Sequence, residues 1–152
     1  MYQRLLVPID GSDASARGLT EATKLAKDQK ARIRLIHVVN EWMVIPAYEN
    51  AAATTYSGDL MLALRESGQE LLDKAKAQLA AAGIPVEATL LEADGGQAGH
   101  VIVKDAEEWH ADIIVLGTHG RRGLSRAVMG SDAEQVVREA RVPLLLVRNL
   151  RA

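Results

Sequence analysis

Five short aliphatic runs, at residues 5–9, 33–39, 86–91, 113–116 and 144–147, alternate with stretches of helical periodicity and leave this chain few folds to choose from. Each run is short, rich in Leu, Ile and Val, and bounded by turn formers, which reads as a buried strand. Between them apolar residues recur at three- and four-residue steps. The first stripe is Ala16, Leu19, Ala22 and Ala26; the second, over 60–82, is Met61, Leu64, Leu71, Ala75, Leu79 and Ala82. The third is Ala98, Val101, Ile102, Ala106 and Trp109, and the last is Ala133, Val136, Val137 and Ala140. Strands alternating with amphipathic helices predict an α/β fold, a parallel sheet covered on both faces. Right-handed crossovers prune the topologies, and the expected strand order is 3-2-1-4-5. Glu87, Thr89 and Glu92 mark the third strand as near an edge, and the fifth is expected at the other.

At 152 residues the chain reads as one domain, 1–152, large enough for a proper core. That core must be aliphatic, because Phe is absent and aromatics total 3% while hydrophobic residues reach 48%. Eighteen basic residues face 20 acidic ones, so no global positive field attracts nucleic acid, and few aromatics are available to stack bases. Nucleic acid is therefore not an expected partner. With no cysteine there is no disulfide, thiolate catalysis or cysteine metal site, which agrees with a cytoplasmic location. No apolar run approaches the roughly 20 residues of a membrane span, and the first is too short for a signal peptide.

The segment 117–131, GTHGRRGLSRAVMGS, lies between the fourth strand and the last helix. Glycine lets backbone approach a ligand closely, a helix start offers unpaired N–H groups, and Arg121, Arg122 and Arg126 add positive charge. Phosphate suits that combination. Glycines also simply turn a chain, Ser131 with Glu134 fits a capping box, and loop arginines are usually solvated. A second signal, Asp10-Gly11-Ser12-Asp13, follows the first strand. In the order 3-2-1-4-5 both turns lie outside the carboxyl ends of the central strands 1 and 4, where ligands bind in sheets of this kind.

Other chemistries lack their residues. There is no Gly-x4-Gly-Lys-Ser/Thr loop, no Gly-x-Gly-x-x-Gly after the first strand, and only part of a receiver's acidic cluster in Asp10 and Asp13. His37, within the second strand, reads as a satisfied core histidine. His119, between Gly117 and Gly120, is placed to touch phosphate or to cap the turn. Residues 40–58 lose periodicity and are expected to form a flap. Gly68 falls on the apolar stripe of the second helix, where it allows close packing.

These residues resemble the universal stress protein A family. The resemblance rests on Gly117-x2-Gly120-x9-Gly130-Ser131, on Pro8-Ile9-Asp10-Gly11-Ser12, on His37-Val38 and on Val142-Pro143, and it covers the whole chain. It implies an adenine nucleotide alpha hydrolase-like fold, three layers α/β/α, binding ATP (or AMP or ADP) with Mg2+ and dimerising through Leu144, Leu145, Leu146 and Val147 of the fifth strand. By that similarity Asp10 lies near ribose and metal, Pro8 and Ile9 line the pocket, Val38 offers backbone to the adenine edge, and Leu116 packs on the nucleoside. Gly117, His119, Gly120 and Arg121 lie by the phosphates, and Gly130, Ser131 and the N–H of Asp132 hold the terminal ones. Where many relatives carry a small or apolar residue, this chain has Asp132. A carboxylate about 4 Å from phosphate costs on the order of 4 kcal/mol at an effective dielectric of 20, so the side chain must turn away or reach metal. Arg121, Arg122 and Arg126 are placed to offset the repulsion; if they do not, AMP or ADP is preferred to ATP.

The expected function is a nucleotide-dependent stress or signalling protein. Two alternatives stand beside it: a slow ATPase or autophosphorylating enzyme using Ser12, Ser131 or His119, and an interaction module that holds no nucleotide.

Overall fold

The computed structural model describes residues 1–40, 53–93, 95, 97–118 and 129–148, with side chains in the second helix from residue 58 onward. In chain order the elements are β1 (Arg4–Pro8), α1 (Asp13–Gln29), β2 (Arg32–Asn40), α2 (Ala53–Ala81), β3 (Val86–Ala93), α3 (Ala98–Glu108), β4 (Ile113–Gly117), α4 (Ser131–Glu139) and β5 (Leu144–Val147). The strands form one parallel sheet in the order β3-β2-β1-β4-β5, as the alternation predicts.

The period-2 alternation of strand side chains divides the interior between two layers of helices. Leu5, Val7, Ile33, Leu35, Ile113 and Val115 join Ala22, Ala26, Leu72 and Leu79 of α1 and α2 in one core. Leu6, Ile36, Ile114 and Leu116 join Ile102, Ala106, Ala133 and Val136 of α3 and α4 in the other. Alanine on the buried helix stripes brings helix backbone close to the sheet, so β-branched and leucine side chains fill the space that aromatics occupy elsewhere.

Polar residues on β3 and β2 are spent on ion pairs. Arg65 of α2 grips Glu92 with both Nε and Nη2, at 2.7 and 3.0 Å, and holds that carboxyl below the ordinary range. Arg34 of β2 donates twice to Asp105 of α3, each bond 2.8 Å long, and once to Glu87 at 3.1 Å. The Asp105 bonds push the guanidinium further above its ordinary value, against the opposing cost of burial.

Helix α2 begins at Ala53, seven residues before the expected start at 60. Its opening turns carry no apolar stripe to announce them, since residues 58–60 are exposed. The expected flap is shortened accordingly, and 41–52 lie outside the described residues. Among the described residues no helix is long and apolar enough to cross a membrane.

Candidate functional site

Because all five strands run parallel, their carboxyl ends share one rim. From the neighbours β1 and β4 the chain leaves toward opposite faces, to α1 on one side and α4 on the other, the switch point at which sheets of this kind hold their ligand crevice.

The turn after β1 is held by short-range bonds that its sequence spells out. Gly11 takes a left-handed φ of 79°, which glycine adopts without strain. Asp10 Oδ1 accepts the Ser12 N–H at 2.9 Å, and the Asp10 N–H donates to Ser15 Oγ at 3.3 Å. Ser12 caps α1, its Oγ accepting from the Ser15 N–H at 3.1 Å, as Ser in an N-cap does. The hydroxyl considered above for phosphoryl chemistry thus has a structural occupation. Ile9 lends only backbone to the rim, because its side chain is 5% exposed within the α1/α2 core. Pro8 ends β1 half-buried.

At β4, Leu116 is buried and packs, with the partly buried Val38, on the α3/α4 core beneath the crevice. Gly117 has a role the motif did not announce. A Cβ there would collide with the carbonyl of Ala14 and lie 2.8 Å from the Ser15 nitrogen, while a Cβ on Gly18 would sit 3.3 Å from the Gly117 nitrogen. The missing side chain lets α1 lie against the end of β4. The chain then returns to its point of departure, for the Gly130 N–H donates to the Thr118 carbonyl at 3.1 Å. Between them, 119–128 are outside the described residues, and with them His119, Gly120, Arg121, Arg122 and Arg126.

The capping box that Ser131 and Glu134 fit by spacing, the alternative to an anion site, does not form. Gly130 is the N-cap, extended at φ −58° and ψ 149°, with its carbonyl accepting the Glu134 N–H at 2.9 Å; Ser131 is the first helical residue. A glycine cap has no side chain to occupy the first amides of α4, so they keep their capacity for an anion. Glutamine 97 likewise caps α3 without a side-chain bond.

Asp132 stands where α3, α4 and the β1 turn converge. A Cβ on Gly99 would lie 2.8 Å from the Asp132 carbonyl oxygen, so glycine is what lets the two helices meet here. Although Asp132 is exposed at its surface, desolvation by the packed helix ends raises its carboxyl above the ordinary value, the Gly99 N–H opposes that, and the charge of Asp10 adds to it. The Gly99 amide keeps the carboxyl on the side of α3, and the charge of Asp10 is felt there. Glycines 99 and 18 were missed in the sequence, although Gly18 lies four residues after Ala14 on the first turns of α1, a spacing that puts both on one face.

The raised value carries a sign. The folded protein binds this proton more readily than the unfolded chain, so stability is lost as pH rises from the ordinary value of 3.8 through the folded one. Asp132→Asn is expected to be the more stable protein at neutral pH and to match wild type well below pH 3.8. Solvent reaches the residue and keeps the difference small. Urea denaturation at both pH values checks this, and a variant less stable than wild type at pH 7 contradicts it.

Among the described residues no three His, Cys, Asp or Glu side chains gather as a metal site.

The chain matches the model of the universal stress protein family over residues 1–148. It is 36% identical to universal stress protein MJ0531 of Methanocaldococcus jannaschii, over 97% of this chain and 83% of that one. Among solved structures, protein MJ0577, which carries the name universal stress protein in M. jannaschii, superposes with a TM-score of 0.84 at 25% identity, covering 100% of this chain and 99% of that one. A universal stress protein of Archaeoglobus fulgidus solved in complex with dAMP shares the fold, with a TM-score of 0.64 at 22% identity over 96% and 98% of the two chains. Motif, sheet order and sequence likeness over nearly the full length agree, and this chain belongs to the universal stress protein family.

Proposed function

We propose that this protein binds an adenine nucleotide, as Mg-ATP, in the crevice between the β1 turn and the start of α4, and acts as a nucleotide-dependent stress or signalling protein. The observation that carries the reading is the start of α4: a helix N-terminus with a glycine cap, opening beside the Asp10 turn. The A. fulgidus complex supports it at the level of the fold, which there accommodates dAMP.

In this reading Val38 offers backbone to the adenine edge, Leu116 and Pro8 form the apolar wall, and Asp10 and the Ile9 backbone flank the ribose. Gly130, Ser131 and the amide of Asp132 hold the terminal phosphates, and His119, Gly120 and Arg121, outside the described residues, are the further phosphate contacts that the family resemblance implies. Asp10 spends Oδ1 on its own turn and keeps a second carboxylate oxygen, which suits a Mg2+ held mainly by phosphate and water. Magnesium supplies charge neutralisation between phosphates.

Nucleotide is expected to stabilise the fold by about 2.7 kcal/mol at a hundredfold excess over Kd, which is roughly 5–11 °C in Tm for a chain of this size. Thermal denaturation with and without Mg-ATP measures it. Absence of any shift at millimolar ATP defeats the proposal. Asp132→Asn, by removing one negative charge from the phosphate end, is expected to enlarge the shift.

The same reading includes a homodimer through β5. All four of its residues are half-buried at a sheet edge, and an apolar edge strand left uncovered is a pairing surface. Sedimentation equilibrium near micromolar concentration is expected to give a dimer, and a monomer would remove this part of the proposal.

A further inference from the structure

We infer that His37 is a positioning residue for the nucleotide site: it fixes the turn that carries Asp10, and Gly68 of α2 is the gap that lets its ring do so. This rests on the nucleotide reading of the crevice, but its geometry is independent of any ligand.

Ile9 is the last residue before Asp10 and lies just past the end of β1. Both of its backbone groups are nevertheless tied to β2. Its N–H donates to the Ile36 carbonyl at 2.9 Å, and its carbonyl faces His37 Nδ1 at 2.7 Å. A carbonyl oxygen only accepts, so Nδ1 carries the proton and donates. The consequence is local. The peptide joining Ile9 to Asp10 has its carbonyl side pinned by an imidazole, and Asp10 in turn uses Oδ1 to hold the Ser12 amide and so the start of α1. Without the histidine bond the Ile9 carbonyl would be the first group after β1 with no partner from the sheet.

The ring reaches this place only because α2 has no side chain opposite it. A Cβ on Gly68 would stand 2.5 Å from His37 Cδ2 and 3.0 Å from Nε2. Both are atoms of a stiff ring whose far side is committed to Ile9, so the ring cannot move aside without lengthening the bond. Leu90, 2.9 Å from the same Cβ through Cδ1, is the flexible end of a side chain and can rotate away.

The test compares His37→Leu, which loses the donor, His37→Asn, whose amide N–H sits near the position of Nδ1, and Gly68→Ala, which displaces the ring. Two readouts are taken on full-length protein confirmed as folded: Kd for Mg-ATP by calorimetry, and hydrogen exchange of the Ser12 amide. His37→Leu and Gly68→Ala are each expected to weaken Mg-ATP by about five- to tenfold and to speed Ser12 exchange by a similar factor, the size of one hydrogen bond lost. His37→Asn is expected to restore both to within about threefold, and Gly68→Ala added to His37→Leu to cost nothing further in Kd, since no ring remains to displace. Wild-type Kd and wild-type Ser12 exchange in His37→Leu would overturn the assignment, as would a His37→Asn no better than His37→Leu. If wild-type protein binds no Mg-ATP, the nucleotide reading fails, and Ser12 exchange alone still decides whether His37 positions the Asp10 turn.

Discussion

Gly117→Ala is expected to destabilise the nucleotide-free protein by about 3 kcal/mol, near the top of the usual range for overpacking, and to lower Tm by about 6–12 °C. The added methyl would meet the backbone of Ala14 and Ser15 at the first turn of α1, and backbone cannot rotate out of the way as a side chain can. Alanine stiffens the unfolded chain and returns about 0.4–1 kcal/mol, too little to offset the collision. The same first turn holds Ser12 and Ser15, which fix Asp10, so the damage reaches the crevice through α1 and not through loss of room for phosphate. Thermal denaturation without nucleotide separates these two accounts. An alanine variant that melts with wild type yet no longer responds to Mg-ATP would mean that Gly117 is needed by the ligand and that the packing argument is wrong. A valine at this position says little about phosphate, because it fails first on packing.

Arg34→Met is expected to cost about 3–5 kcal/mol, because it leaves Asp105 ionised with its side chain 8% exposed and both guanidinium bonds gone. The cost belongs to the abandoned charge and not to the ion pair itself. Arg34→Met with Asp105→Leu is therefore expected to recover most of it, since an apolar pair of similar volume under β2 has no ion to desolvate. Urea denaturation of the single and double variants gives the comparison. A single variant within about 1 kcal/mol of wild type, or a double variant worse than the single, would show that water still solvates Asp105 once the arginine is gone.

The layers were legible because burial and secondary structure impose the same period on the chain. Strand runs such as 5–9 and 113–116 are apolar throughout because both faces of a parallel sheet are covered, and the helix stripes carry the complementary three- and four-residue spacing. Strand order followed from handedness and the number of faces to cover. The start of α2 was not legible, since Ala53-Thr54-Thr55-Tyr56-Ser57 shows no three- and four-residue recurrence of apolar residues, and local pattern then has nothing to report. At α4 the sequence left two caps open: Ser131 and Glu134 satisfy the capping-box spacing, but Gly130 is the cap and its N–H is bound to Thr118, a tie that no local spacing reveals.

Site residues divide along the same line. By itself the sequence determined which residue types stand at the carboxyl ends of β1 and β4, because turns and caps are built from neighbours: Asp10, Ser12 and Ser15 bond to one another within six residues of chain. Only tertiary structure decided what each glycine is for. Gly117 serves α1, Gly99 serves the meeting of α3 with α4, and Gly68 serves His37, all across distances in sequence that no local pattern spans. A glycine advertises that something comes close; what comes close is chosen by the packing of elements folded from elsewhere in the chain.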